Sequence, residues 1–186
     1  MAFNLDGVLD PDEALRLIEA MTADNGNDIV MALESRGTAV EGECQRPFAD
    51  GRRRMDVAGY SFFMRTERSA GAARGQLELS GVHVVRRCDA ATASLASLHQ
   101  SQDPALKLTL SVFKAGGDNS GDAQPMLEFA IEKARIYSHA LLVGGNPKEP
   151  WEVIGVAYQK LELRSAPQTR EGIRGAVRTC TLEVRA

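Results

Sequence analysis

At 186 residues the chain is long enough for one domain with a core of its own. A hydrophobic fraction of 44%, a charged fraction of 25% and a net charge of -3 fit a globular protein and argue against nucleic acid as the main partner. No apolar run spans a bilayer, the acidic N-terminus lacks the segments of a secretory signal, and Cys44, Cys88 and Cys180 form no CxxC pair or metal spacing, so synthesis in the cytoplasm with free thiols and no membrane insertion is expected.

The charge is unevenly spread. Residues 1–50 carry 11 acidic and 3 basic side chains, whereas residues 51–186 carry 14 and 19. The two parts either neutralise each other within one chain or meet between chains.

In chain order, residues 1–27 read as an appended helix. Asp10 is a good N-cap, Pro11 sits at the first helical position and Glu13 completes a capping box. Leu15, Ile18 and Met21 form an apolar stripe at helical spacing that needs a surface to dock on. Strand signals follow over residues 28–186. Asp28–Ser35 is a first strand and Arg36–Gly51 a long loop. Arg52–Arg68 is a long strand region bent at Gly59, and Arg74–Arg87 a strand whose alternation slips at Gly81, which suggests a bulge. Asp89 caps a short helix over Ala90–Gln100 with Leu95 and Leu98 inward, and Asp103-Pro104 ends it. Strands follow near 105–114, 126–138, 151–164 and 175–185. In the first, Leu106, Leu108, Leu110 and Val112 alternate with Lys107, Thr109 and Ser111. In the last, Cys180, Leu182 and Val184 share a face. The order predicts a mainly β fold: a compact β-barrel of two antiparallel sheets with one flanking short α-helix, behind an N-terminal helical extension.

No catalytic or ligand constellation stands out. His83, His99 and His139 lack ligand spacing, Ala115-Gly116-Gly117-Asp118 lacks the lysine of a phosphate loop, and no G-x-S-x-G elbow occurs. No cofactor and no enzymatic activity are expected. Arg52-Arg53-Arg54 has no aromatic platform for nucleic acid beside it. A small-molecule-binding β-barrel is the alternative function, although 5% aromatic content leaves little for sugar stacking.

The ordered segments resemble those of the haemolysin-coregulated protein family, the inner-tube protein of the type VI secretion system. The likeness runs from Asp28 to about Arg185. It rests on Asp28–Leu33, Gly42-Glu43, Val57–Phe62 and Val85–Thr92, on Leu108–Gly117 as the closest stretch, and on Tyr158-Gln159-Lys160-Leu161. Residues 1–27 have no counterpart in the short members of that family. The resemblance implies homohexameric rings stacked into a hollow tube, propelled by contractile sheath proteins, tipped by a spike protein and able to hold effector cargo. It implies secretion into the extracellular space or a target cell. The loop with Glu41, Glu43, Arg46, Asp50, Arg52, Arg53 and Arg54 is then either an inter-ring contact or an ordinary surface loop. Lys107, Thr109 and Ser111 face either the lumen, a neighbouring subunit or solvent. Trp151 either anchors one end of the barrel or serves as an interface anchor.

Overall fold

The computed structural model describes residues 27–67, 75–114, 124–144, 148–167 and 175–184. The predicted N-terminal helix, with Leu15, Ile18 and Met21, lies outside them, as does Ala115-Gly116-Gly117-Asp118. The described strands are β1 (Asn27–Ser35), β2 (Thr38–Val40), β3 (Met55–Val57), β4 (Gly59–Ser61), β5 (Met64–Glu67), β6 (Gln76–Leu79), β7 (Val82–Arg87), β8 (Leu106–Lys114), β9 (Leu127–Gly144), β10 (Glu149–Ala157), β11 (Lys160–Ser165) and β12 (Arg178–Glu183). One helix, α1 (Thr92–Gln100), separates β7 from β8.

The fold is mainly β and antiparallel, as the strand spacing predicts. Ten strands form one sheet and β5–β6 a second. Among the described residues the pairing does not close into a barrel: β12, β2, β3 and β4 end it as edges. The 18-residue β9 holds the large sheet together. Its first half pairs with β8 on one edge and β11 on the other, and its second half pairs with β10. The main arm therefore runs β1-β8-β9-β11-β12, and a second arm runs β9-β10-β7-β4. Both arms contribute to one core, with Met31 and Leu33 from β1, Val82 and Val84 from β7, Phe129 and Ile131 from β9, and Ile154 from β10.

The alternation of β8 is fully realised. Leu106, Leu108, Leu110 and Val112 are 0–5% exposed, and each such side chain stabilises the fold by about 1.5–3 kcal/mol. The loop predicted over 36–51 begins instead with a hairpin: Arg36 and Gly37 have φ of 51° and 85°, the two left-handed positions of a type I′ turn, so β2 folds back on β1. The single strand predicted over 52–68 breaks into β3, β4 and β5, which pair with three different strands. The phase slip at Gly81 is a break rather than a bulge, for β6 pairs with β5 and β7 with β10. Bulges lie elsewhere, in β9 at Lys133, whose φ is 50°, and opposite Gly155/Val156.

Helix α1 starts two residues later than predicted, after an Asp89 turn. Asp89 Oδ1 accepts from Ala91 N–H at 2.8 Å, an Asx turn, and its own N–H donates to Thr92 Oγ1 at 3.1 Å, so Asp89 shapes the turn before the helix while Ala91 takes the N-cap position. Leu95 is buried in the core and Leu98 half-buried against it. In β12 the expected inward face is weak: Leu182 packs on the core, but Cys180 and Val184 are exposed.

Candidate functional site: a polar sheet face, a pinned loop and a buried charge cluster

The face opposite the core on β8 is one stripe of a wider surface. Register places Ser111 beside Val30 of β1 and Glu128 of β9; Glu128 lies beside Arg164 of β11, and Arg164 beside Thr179 of β12. A parallel row runs Ala32, Thr109, Ala130, Glu162, Thr181. Lys107 pairs with Glu34 and sits across from the bulge at Lys133. Cross-strand ion pairs lace the surface: Arg164 reaches Glu128 at 2.8 Å and Glu162 at 2.6 Å, and Lys160 reaches Glu132 at 3.2 Å. Sequence reading found Lys107, Thr109 and Ser111 but missed the β9 and β11 residues. The alternation of Leu161 and Leu163 with Glu162 and Arg164 was the available signal.

The long loop is pinned to the body. Glu43 N–H donates to Asp89 Oδ2 at 3.1 Å, and the Glu43 carboxylate accepts from Ala90 N–H at 3.3 Å. Arg46 reaches Asp28 at 3.0 Å and lies 3.9 Å over the Phe113 ring. Cys44 is buried with Val30 and Phe113, and Phe48 packs against them. Burial first, then the neighbouring Asp56 carboxyl, pushes the Cys44 thiol up to about 12, so it is no nucleophile. Asp50 accepts from Arg54 at 2.7 Å and from Arg52 N–H at 3.1 Å, and the Arg54 guanidinium holds its carboxyl below the usual range. Arg52 reaches Glu34 at 3.0 Å. Glu41 and Arg53 are exposed. A cavity of about 380 Å³ lies between loop and sheet, lined by Asp28, Cys44, Arg46 and Asp56 among others.

A buried charge cluster, which the sequence reading did not find, lies under α1. Arg86 and Glu152 are 1% and 0% exposed and meet at 2.7 Å. Glu152 also accepts from Thr92 Oγ1 at 3.1 Å and contacts His139 Nε2 at 2.6 Å, while Arg86 reaches Asp89 at 2.5 Å. The cluster joins β7, β9, β10, the start of α1 and, through Asp89, the long loop. Guanidinium and carboxylates pair with one another there through the terminal nitrogens of Arg86, while the buried Arg86 Nε has no hydrogen-bond partner. Among the described residues no group of three or more His, Cys, Asp or Glu side chains is placed to hold a metal ion, and no helix is long and apolar enough to cross a membrane.

Aromatic residues of Val57–Phe62 and of Tyr158-Gln159-Lys160-Leu161 sit at structural joints. Tyr60 and Phe62 pack edge-on to Phe129 at 5.1 and 5.8 Å. Tyr158, at the step from β10 to β11, donates its hydroxyl to the Ser80 carbonyl at 3.0 Å. Trp151 is half-buried in a small second cluster with Val85 and Val153, with Arg87 5.3 Å over its ring.

A family model described as "Type VI secretion system effector, Hcp" matches residues 31–164. No curated protein sequence matches the chain. Among solved structures, a mutant form of the Hcp1 protein from E. coli EAEC 042 superposes with a TM-score of 0.64 at 10% identity, covering 84% of this chain and 97% of its own. A type VI secretion system effector from Yersinia pestis gives 0.58 at 15% identity over 83% and 99%. The secreted protein Hcp3 from Pseudomonas aeruginosa gives 0.57 at 12% identity over 86% and 99%. At these identities the structures establish likeness of fold, while the family model spans well over half of the sequence. This chain belongs to the Hcp family of the type VI secretion system.

Proposed function

We propose that this chain is a structural subunit of the type VI secretion inner tube. Six copies form a ring, rings stack into a hollow tube, a contractile sheath drives the tube outward behind a tip spike, and the lumen accommodates effector cargo. The protein acts by building surface, not by catalysis, and leaves the cell through the assembly it forms. The observation that carries this reading is the polar face of the main arm, a surface of side chains from β1, β8, β9, β11 and β12 laced by its own ion pairs. Such a face is wettable and internally neutralised, which suits a channel wall that must not grip what passes. The open edges of the large sheet suit the second requirement, heterologous contacts that close by rotation. Negative-stain micrographs of the purified full chain test the reading. Rings with a central hole are expected, with short stacks at high concentration. Uniform compact particles without a hole would overturn it.

A further inference from the structure

Strand β2 is an edge of the large sheet: among the described residues it pairs with β1 alone. The type I′ turn at Arg36 and Gly37 fixes which backbone groups that edge shows. Ser35 and Thr38, which flank the turn, form a hydrogen-bonded pair, and the pairs of an antiparallel ladder alternate in kind. Glu34 and Ala39 are therefore a non-hydrogen-bonded pair, and the Ala39 N–H and C=O both point away from β1. One edge residue thus offers a donor and an acceptor to an incoming extended backbone.

That edge looks into a groove. About 890 Å³ of space lies between β2 and α1. Thr38, Ala39 and Val40 all line it. Side chains of a strand alternate between its faces, so three consecutive residues share a groove that follows the strand's edge. The opposite wall is Ala93, Ser94, Ser97 and Leu98, one face of the helix. Its small side chains leave room for a chain to lie between, and Val40 and Leu98, half-buried against the core, form an apolar floor. Each end of the groove carries a charge. Arg36 stands at the turn, its side chain 77% exposed although Asp103 lies 3.8 Å away, and Glu41 stands exposed just past the strand.

We infer that the groove between β2 and α1 takes an extended peptide segment of another protein, added antiparallel to β2 through the Ala39 N–H and C=O. An antiparallel segment runs from the Glu41 end to the Arg36 end. A basic residue ahead of the paired stretch and an acidic one behind it then meet opposite charges, and an apolar side chain between them rests on Val40 and Leu98. This activity goes beyond building a tube. It leaves the other edges of the large sheet, β12, β3 and β4, for contacts between copies.

The test uses the full chain and a fluorescent hexapeptide, Lys-Val-Thr-Val-Thr-Asp with blocked ends, followed by anisotropy. Saturable binding is expected. The peptide with its end charges exchanged, Asp-Val-Thr-Val-Thr-Lys, is expected to bind about two- to fivefold more weakly at low salt, with the difference fading at high salt. Ala39→Pro removes the outward N–H, which the ladder to β1 does not use, so the fold is kept and binding is expected to fall about tenfold or more. Ser97→Trp, at an exposed helix position, is expected to fill the groove and reduce binding likewise. No saturable binding of either peptide by the wild type, or equal binding by the wild type, Ala39→Pro and Ser97→Trp, would overturn the inference. So would an Ala39→Pro protein that folds but has a lower native mass than the wild type, for the groove would then seat a neighbouring copy. Should Ala39→Pro lose its fold, Ser97→Trp decides. The native mass of the wild type tests the tube reading separately, so either reading can fail without the other.

Discussion

Glu152 shows how one residue holds several elements. It is fully buried, and its two oxygens serve Arg86, Thr92 and His139 on three other elements. Replacing it with alanine leaves a buried guanidinium short of a partner, and a loss of about 3–5 kcal/mol in chemical denaturation is expected. Sequence spacing carried no sign of this cluster, since the partners of Glu152 lie 13 to 66 positions from it. Phase did carry a sign: Glu152 shares its strand phase with Ile154, and Arg86 with Val82 and Val84, so charges sat at core positions. Asp103 gives a pH prediction. The Ser35 hydroxyl first, then the Ala105 amide and nearby Arg36, hold its carboxyl below the usual carboxylate range. A depressed folded value contributes stability above the unfolded value of about 3.9, and that contribution is lost as pH falls through the folded one. Ser35→Ala should therefore raise the Asp103 midpoint in an NMR titration and narrow the acid side of the stability profile. A midpoint unchanged by the substitution would contradict the assignment.

Among the elements, β8 was legible because its period-two pattern runs without a break from Leu106 to Val112 and that face is wholly buried. The β1–β2 hairpin was not, because Arg36 occupies a left-handed position that arginine seldom takes, and only Gly37 marked the turn. The division of 52–68 into three short strands was hidden for another reason. Each piece is too short for its own periodicity, and long-range pairing alone decides where each ends. The β9–β10 pair rests on a bulge at Gly155, where an added Cβ would press on Ser138 Oγ and lie 2.7 Å from the Tyr137 ring. Tyr137 covers that glycine and also sits beside Gly81, with its hydroxyl 2.7 Å from His83 Nε2. Gly155→Ala is expected to cost about 1–3 kcal/mol through overpacking, read as a lower denaturation midpoint with an unchanged slope.

At the scale of the molecule, the order of segments pointed to the tube-protein family that the family model then matched. The polar face was only partly readable. One strand shows its own alternate face, but the lateral row from Ser111 to Thr179 exists only once register is set by β9. The acid excess of the first 50 residues acquires a physical sense too. Within the described residues Asp28, Glu34 and Asp50 are taken up by neighbouring arginines, which leaves the excess concentrated in residues 1–26.

The central claim, that this chain builds rings from copies of itself, is tested most directly by its native mass in solution over a range of concentrations. A dominant species of about 120 kDa, six times the 20.1 kDa chain, is expected to persist on dilution. A single 20.1 kDa species at every concentration would contradict the account.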